Sequence, residues 1–326
     1  MPVVLMEDVE LLHRRRIAMG GAVCDVRCNS AALVRMLLRS TNAATESERT
    51  SFTLDVHVND VGEAPLGKPH FRGMHHVVVA SFGSENIFLF DLLRQQVSAT
   101  VSATAARNTE FWSRQILPIT LGIMGAAIGI VPMHCACLAL NGEGLLLAGA
   151  SGAGKSTLAA ALSQSGFDYL SDDWTYINAP QGMLLAHGMR APVKLLPDAV
   201  RHFARLDAYP IQNSMNGELA YEVDAEDAFG ASIAMECAPR WLVFVERGET
   251  QESESLPMAS AQVRHYLESS VERLPEELPE AAQQRAAIME RVAQLPCWRF
   301  RYGGTPQFAA QALREFVAHR RQAVCV

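Results

Sequence analysis

The stretch Leu145-Leu146-Leu147-Ala148-Gly149-Ala150-Ser151-Gly152-Ala153-Gly154-Lys155-Ser156-Thr157 decides the fold. It opens with an apolar run of strand length. It then crosses three glycines at 149, 152 and 154 and enters a helical pattern over Lys155–Gln164 that stops at Gly166. Residues 149–156 match G-x-x-x-x-G-K-[ST]. Glycines let successive backbone N–H groups turn inward, and the start of the following helix adds its positive end, so the loop is shaped to cradle phosphate oxygens. Lys155 is then placed to reach the β- and γ-phosphates of a nucleoside triphosphate, and the Ser156 hydroxyl to ligate Mg²⁺. The expected nucleotide-binding residues are Gly149, Ala150, Ser151, Gly152, Ala153, Gly154, Lys155, Ser156 and Thr157, with ATP and Mg²⁺ as cofactors. Lysine is rare elsewhere: only Lys68 and Lys194 accompany Lys155, and the remaining 25 of the 28 basic residues are arginine. A lysine inside a glycine-rich loop is therefore not a product of lysine abundance.

Working outward, Asp172 and Asp173 follow an expected strand at Asp168–Ser171. Carboxylates at the carboxyl end of a parallel strand beside a phosphate loop are placed to hold Mg²⁺ or to take a proton from an incoming hydroxyl. Aspartate is also common at turns and helix caps. His134 begins the strand two before the loop. A single histidine in an apolar run more often ends a strand than performs chemistry.

From His134 to Asp173 the chain reads HCACLALNGEGLLLAGASGAGKSTLAAALSQSGFDYLSDD. This resembles the catalytic domain of the HPr kinase/phosphorylase family: a histidine, a strand, a glycine turn, the phosphate loop, a helix, a glycine and an Asp-Asp pair. His134 lies 21 residues before Lys155 and Asp172 lies 17 after it, spacings that agree with that family. The resemblance implies an α/β P-loop kinase domain, related in fold to phosphoenolpyruvate carboxykinase, that transfers phosphate to a serine hydroxyl. It implies Asp172 as general base, Asp173 and Ser156 as metal ligands, and His134 as a residue lining the phosphate site. The later run MRAPVKLLPDAV is similar to a segment in HPr-kinase-like proteins found beside peptide-modification genes, such as lasso-peptide kinases. There a basic residue precedes a short apolar run, a place filled here by Arg190 or Lys194. Either would stabilise charge on the transferring phosphoryl group, and either is equally an ordinary surface cation. The loop continues Lys-Ser-Thr where HPr kinases have Lys-Ser-Glu. The glycine-rich signature after their Asp pair is not recognisable, so the resemblance specifies neither HPr as acceptor nor the reverse phosphorylase activity.

The rest of the chain sets the context. Residues 1–107 read as a β-rich domain with an antiparallel meander: Phe52, Leu54, Val56 and Val58 alternate, His76–Phe82 and Asn86–Leu93 are strands, and Gln95–Ala103 alternates again. Residues 108–326 read as the catalytic domain, entered by a linking helix over Glu110–Val131. Past the Asp pair we expect a helix at Pro197–Leu206, strands at Arg240–Glu246 and Trp298–Tyr302, an acidic and partly helical Glu249–Glu280, and a closing helix at Thr305–Arg321. The net charge of −7 argues against nucleic acid. Seven cysteines, an odd number without a framework spacing, suit a reducing cytoplasm. Cys24/Cys28 and Cys135/Cys137 do not form a four-ligand metal set. MPVVLMEDVELLHRRR is not a signal peptide, since it carries acids and lacks a long apolar core. Ile116–Leu140 is free of charge, yet Pro118, Pro132 and His134 fit a buried helix and strand better than a membrane span. The sequence expectation is thus a cytoplasmic kinase whose partner is a peptide or small-protein acceptor. A homo-oligomer is compatible with the family resemblance. A small-molecule kinase, or a recognition module that binds ATP without transfer, are the alternatives.

Overall fold

The computed structural model describes residues 11–45, 47–59, 66–189, 191–214, 217–249, 252–269 and 276–324. The chain forms two compact units: Met1–Val131 with Glu272–Ala286, and Pro132–Val271 with Ala287–Val326.

In the first unit the strands are β1 (His13–Met19), β2 (Ala22–Cys28), β3 (Asn42–Ala43), β4 (Phe52–Asn59), β5 (Pro69–Met74), β6 (Val77–Phe82), β7 (Ile87–Asp91) and β8 (Gln96–Ser102). They make one sheet in the order β3-β1-β2-β4-β8-β7-β6-β5. The meander expected from the alternation is present from β5 to β8. It is only half of the sheet: β2, β4 and β8 run parallel. A parallel step needs a crossover, and α1 (Ala31–Ser40) supplies it between β2 and β4. The Ser30 hydroxyl caps this helix by accepting from the Leu33 N–H, and Leu33, Val34 and Leu37 form its buried stripe.

The helical stretch expected over Glu110–Val131 is broken into pieces. After α2 (Ala103–Arg107) come α3 (Thr109–Phe111), a widened π turn at Trp112–Ile116 and α4 (Leu117–Gly125). In a regular helix the Pro118 ring would meet the Arg114 carbonyl four residues back, and widening the turn relieves that clash. Phe82, Phe88, Phe111 and Trp112 then pack edge to face, with ring centroids 5.2–6.4 Å apart. The Trp112 indole N–H, buried among them, donates to the Ala105 carbonyl at 3.0 Å.

The second unit holds β9 (Val131–Met133) from Pro132 on, β10 (Ala136–Leu140), β11 (Glu143–Ala148), α5 (Lys155–Gln164), β12 (Asp168–Ser171), β13 (Thr175–Asn178), β14 (Leu185–His187), β15 (Val193–Leu195), β16 (Gln212–Asn213), β17 (Leu219–Val223), α6 (Ala225–Phe229), β18 (Glu236–Arg247), β19 (Ser253–Pro257), α7 (Ser260–Ser269), the end of α8 (Pro279–Ala293) from Ala287 on, β20 (Cys297–Tyr302) and α9 (Pro306–Val324). Its main sheet runs β12-β10-β11-β18-β14-β13-β9. β18 is long enough to pair with β14 at its start and with β20 at its end, and β19 pairs beyond β20. β10 and β11 form a hairpin whose turn residues, Asn141 (φ 54°) and Gly142 (φ 78°), both take the left-handed conformation that such a two-residue turn demands. β11, β18 and β20 are parallel. β12 shares their direction through two antiparallel steps. Four strand ends, at Ala148, Ser171, Arg247 and Tyr302, therefore emerge at one edge of the sheet. That edge is where ligands settle in open α/β sheets.

Leu158, Ala160 and Leu162 of α5 join Ala309, Leu313 and Val317 of α9 and Leu145, Leu147, Val243, Val245 and Phe300 of the strands in one core. The small side chains of α5 let the helices approach closely. In place of the single helix expected at Pro197–Leu206 there are two 3₁₀ turns, Pro197–Arg201 and Ala204–Ala208. The break comes at Phe203 (φ −133°, ψ 87°), which turns its ring into the core against Phe229, 5.2 Å between centroids.

All six described cysteines are buried thiols: Cys24 and Cys28 in the first unit, Cys135, Cys137, Cys237 and Cys297 in the second. Among the described residues no helix is long and apolar enough to cross a membrane.

Candidate functional site

The loop from Gly149 to Gly154 connects β11 to α5 through three left-handed glycines, Gly149 (φ 142°), Gly152 (φ 78°) and Gly154 (φ 91°). Two of them are also sterically required. A Cβ on Gly149 would lie 2.7 Å from the Val245 carbonyl oxygen, and one on Gly154 2.7 Å from the Tyr302 hydroxyl. Gly154 caps α5 without a side chain, so the first N–H groups of the helix have no side-chain partner at the cap. Lys155 is buried, and its ammonium donates back to the Gly149 carbonyl at 2.9 Å and the Ala150 carbonyl at 3.2 Å. Burial lowers its pKa, while Asp173, Cys135 and Asp172 pull the other way. The cation is thus held over the loop, next to both aspartates.

The aspartates occupy different environments. Asp172 is buried at 5% exposure. Its Oδ1 accepts from the Tyr169 hydroxyl at 3.0 Å and its Oδ2 from the Lys194 backbone N–H at 3.2 Å. Burial, and then the charge of Asp173, push its carboxyl up to about 6, against the lowering effect of the Lys194 N–H and of the Tyr169 and Ser156 hydroxyls. Asp173 is exposed, and its Oδ1 lies 2.8 Å from His134 Nε2. The His134 ring rests beside Trp174, 5.5 Å between centroids. The turn carrying the pair is pinned from below: Ser171 Oγ and Thr175 Oγ1 are 2.7 Å apart, and the Thr175 hydroxyl donates to the Cys135 carbonyl at 2.9 Å. His134, Lys155, Ser156, Asp172 and Asp173, separated by up to 39 positions in sequence, meet at one sheet edge.

The later basic residues separate from this group. Lys194 reaches the site through its backbone N–H, but its ammonium pairs with Glu218 Oε2 at 2.7 Å. Arg190 lies outside the described residues. Three contributors have no motif of their own: Tyr169, which holds Asp172, and Arg247 and Tyr302, which close in on Gly154. Tyr169 stands three residues before Asp172, a position that signals nothing without the strand that turns it inward. Arg247 and Tyr302 reach the loop only because β18 and β20 lie parallel to β11.

No family model matches the chain, and no curated protein matches it by sequence. Among the solved structures similar to it is the Hpr(Ser) kinase/phosphatase from Coxiella burnetii, at 11% identity, covering 59% of this chain and 99% of that one, with a TM-score of 0.31.

Proposed function

We propose that the chain is a Mg·ATP-dependent kinase that transfers the γ-phosphoryl group to a hydroxyl, serine of a peptide or small protein being the acceptor class. The observation that carries this reading is the pair of unlike aspartates beside Lys155 of the glycine loop: a buried Asp172 and an exposed Asp173 on His134. A binding module has no need of a second, solvent-facing carboxylate held by a histidine.

The hydroxyl of Ser156 and the carboxylate of Asp172 are hard oxygen donors, the kind that hold Mg²⁺ together with substrate phosphates. Such an ion supplies charge neutralisation across the phosphates. It also accounts for a carboxylate left buried at the cost of a raised pKa. The chain's own groups then divide the work. The loop N–H groups and Lys155 bind the phosphates, and burial around Lys155 strengthens that attraction by excluding water. The acceptor oxygen forms its bond to the γ-phosphorus as the bond to the bridging oxygen of the leaving diphosphate breaks.

The family resemblance gave the proton of that hydroxyl to Asp172. The geometry supports the opposite division: Asp172 already accepts from Tyr169 and the Lys194 N–H and faces inward, whereas Asp173 is open to an arriving acceptor and is oriented by His134. In this reading Asp173 takes the proton and His134 holds it in position.

The test is single-turnover transfer from labelled Mg·ATP to serine peptides, with binding measured separately by calorimetry. Lys155→Ala is expected to lose nucleotide binding. Asp173→Asn is expected to bind ATP and to transfer about 10²- to 10⁴-fold more slowly, the scale of general-base catalysis. Parent-rate transfer by Asp173→Asn ends the base assignment. Nucleotide binding without transfer to any peptide, amino acid or sugar puts the recognition module in front.

A further inference from the structure

The flank of the phosphate loop away from the aspartates is built from two residues that no motif predicts. The Tyr302 side chain is fully buried, and its hydroxyl is hidden from solvent with no hydrogen-bond partner among the described residues. That hydroxyl points at the cap of α5: it is the nearest atom, 2.7 Å, to the place a Cβ on Gly154 would take. Over its ring lies the Arg247 guanidinium, 4.5 Å from the centroid, with Nε 3.3 Å from the same point beside Gly154. Arg247 is exposed and forms no ion pair among the described residues. The neighbouring carboxylate, Glu246, is taken by Arg299 at 3.3 Å and Arg301 at 3.4 Å. A guanidinium is thus stacked in place at the N-terminus of α5, with its fork of donors uncommitted and a partnerless hydroxyl beneath it. Buried polar groups are seldom left unpaired, and a fork of N–H donors matches phosphate oxygens.

We infer that Arg247 and Tyr302 form a second anchor for the nucleotide, contacting its α-phosphate end. The inference rests on the nucleotide reading above and adds the polarity of the ligand along the loop. Asp172 and Asp173 follow β12, on one side of β11. Arg247 and Tyr302 end β18 and β20, on the other side. The transferring phosphate belongs beside the aspartates, so the phosphate nearest the nucleoside falls on the arginine flank. Arg247 then sets affinity for di- and triphosphates alike and does not distinguish them.

Calorimetric titration of parent, Arg247→Gln, Tyr302→Phe and Lys155→Ala with Mg·ATP and Mg·ADP tests this, with circular dichroism confirming that each is folded. Arg247 is exposed and phenylalanine keeps the Tyr302 ring, so both substitutions preserve the core. Arg247→Gln is expected to weaken ATP and ADP by the same factor, about 10- to 100-fold, the worth of a charged hydrogen-bond pair. Tyr302→Phe is expected to weaken both by about threefold or more, the worth of one neutral hydrogen bond. Parent-like affinity in Arg247→Gln, while Lys155→Ala has lost ATP, overturns this inference and leaves the nucleotide reading standing. A loss confined to ATP moves the guanidinium to the γ-phosphate and overturns the assigned polarity. Parent-like affinity in Tyr302→Phe removes the hydroxyl from the anchor and overturns the two-residue site. A parent that binds neither nucleotide refutes the inference together with the reading beneath it.

Discussion

Replacing Asp172 by asparagine should stabilise the protein above neutrality. The carboxyl is buried and its pKa stands at about 6 against an ordinary 3.8, with burial the leading cause and Asp173 the second. Between those two values the folded state holds the proton more tightly than the unfolded state does. Folding stability therefore falls as pH rises from roughly 4 to 6, and the loss is complete above the folded-state value. At 1.36 kcal/mol per pKa unit, ionising this group in place costs about 3 kcal/mol at pH 8. Asparagine carries no charge and escapes that cost. Its oxygen can stay on the Lys194 N–H, and its amide can donate to the Tyr169 hydroxyl, which rotates to accept. Rearranging these bonds gives back about 1 kcal/mol. The net expectation is a variant about 2 kcal/mol more stable than the parent at pH 8, with an advantage that disappears by about pH 4 as the parent carboxyl protonates. Urea unfolding of both proteins at a series of pH values, compared as differences, reads this directly. A variant less stable than the parent by the same amount at pH 8 and pH 4 would show that hydrogen bonding outweighs desolvation at this site, and the argument would fail.

Two further expectations follow from the same edge of the sheet. Gly154→Ala combines a left-handed φ of 91° with a Cβ 2.7 Å from the Tyr302 hydroxyl; thermal unfolding should show a loss of about 2–4 kcal/mol from backbone strain and crowding, and a parent-like midpoint would mean that the loop relaxes freely. Lys194→Ala removes the half-exposed pair with Glu218 but keeps the backbone N–H on Asp172, so stability should change by less than about 1 kcal/mol; a loss of phosphoryl transfer at saturating Mg·ATP would restore the ammonium to the reacting centre.

What could be read in the sequence was local. Leu145–Gln164 is legible as strand, loop and helix because each glycine there serves a backbone requirement that no other residue meets. From Gly144 to Ala148 the β11 strand is apolar and buried because it is covered on both faces. α1 was available in principle: Ser30 at its cap and the stripe of Leu33, Val34 and Leu37 have helical spacing, but the segment sits among strands and was absorbed into them. Its omission concealed the parallel half of the first sheet. The helix expected at Pro197 failed because the core takes up Phe203, and burying that ring outweighs the helical pattern around it. At the site, the residues in the motif were legible, while those supporting it were not. Asp172 and Asp173 are neighbours with the same side chain, and only the fold makes one inward and bonded to Tyr169 and the Lys194 N–H and the other outward and paired with His134. Tyr169, Arg247 and Tyr302 act through strand pairings that join distant segments, and no local pattern records them.

The buried cysteines give the molecule an internal clock. Thiolates react and thiols do not. Burial drives Cys24 well above its ordinary range and Cys135 and Cys297 to about 12. In the folded state these sulfurs are screened twice, by packing and by protonation. An alkylating reagent can therefore mark them only in molecules that have opened. Cys24 and Cys28 belong to one compact unit and Cys135, Cys137, Cys237 and Cys297 to the other. Mapping the added mass to peptides would time the opening of each unit separately, in unmodified protein and without an introduced probe.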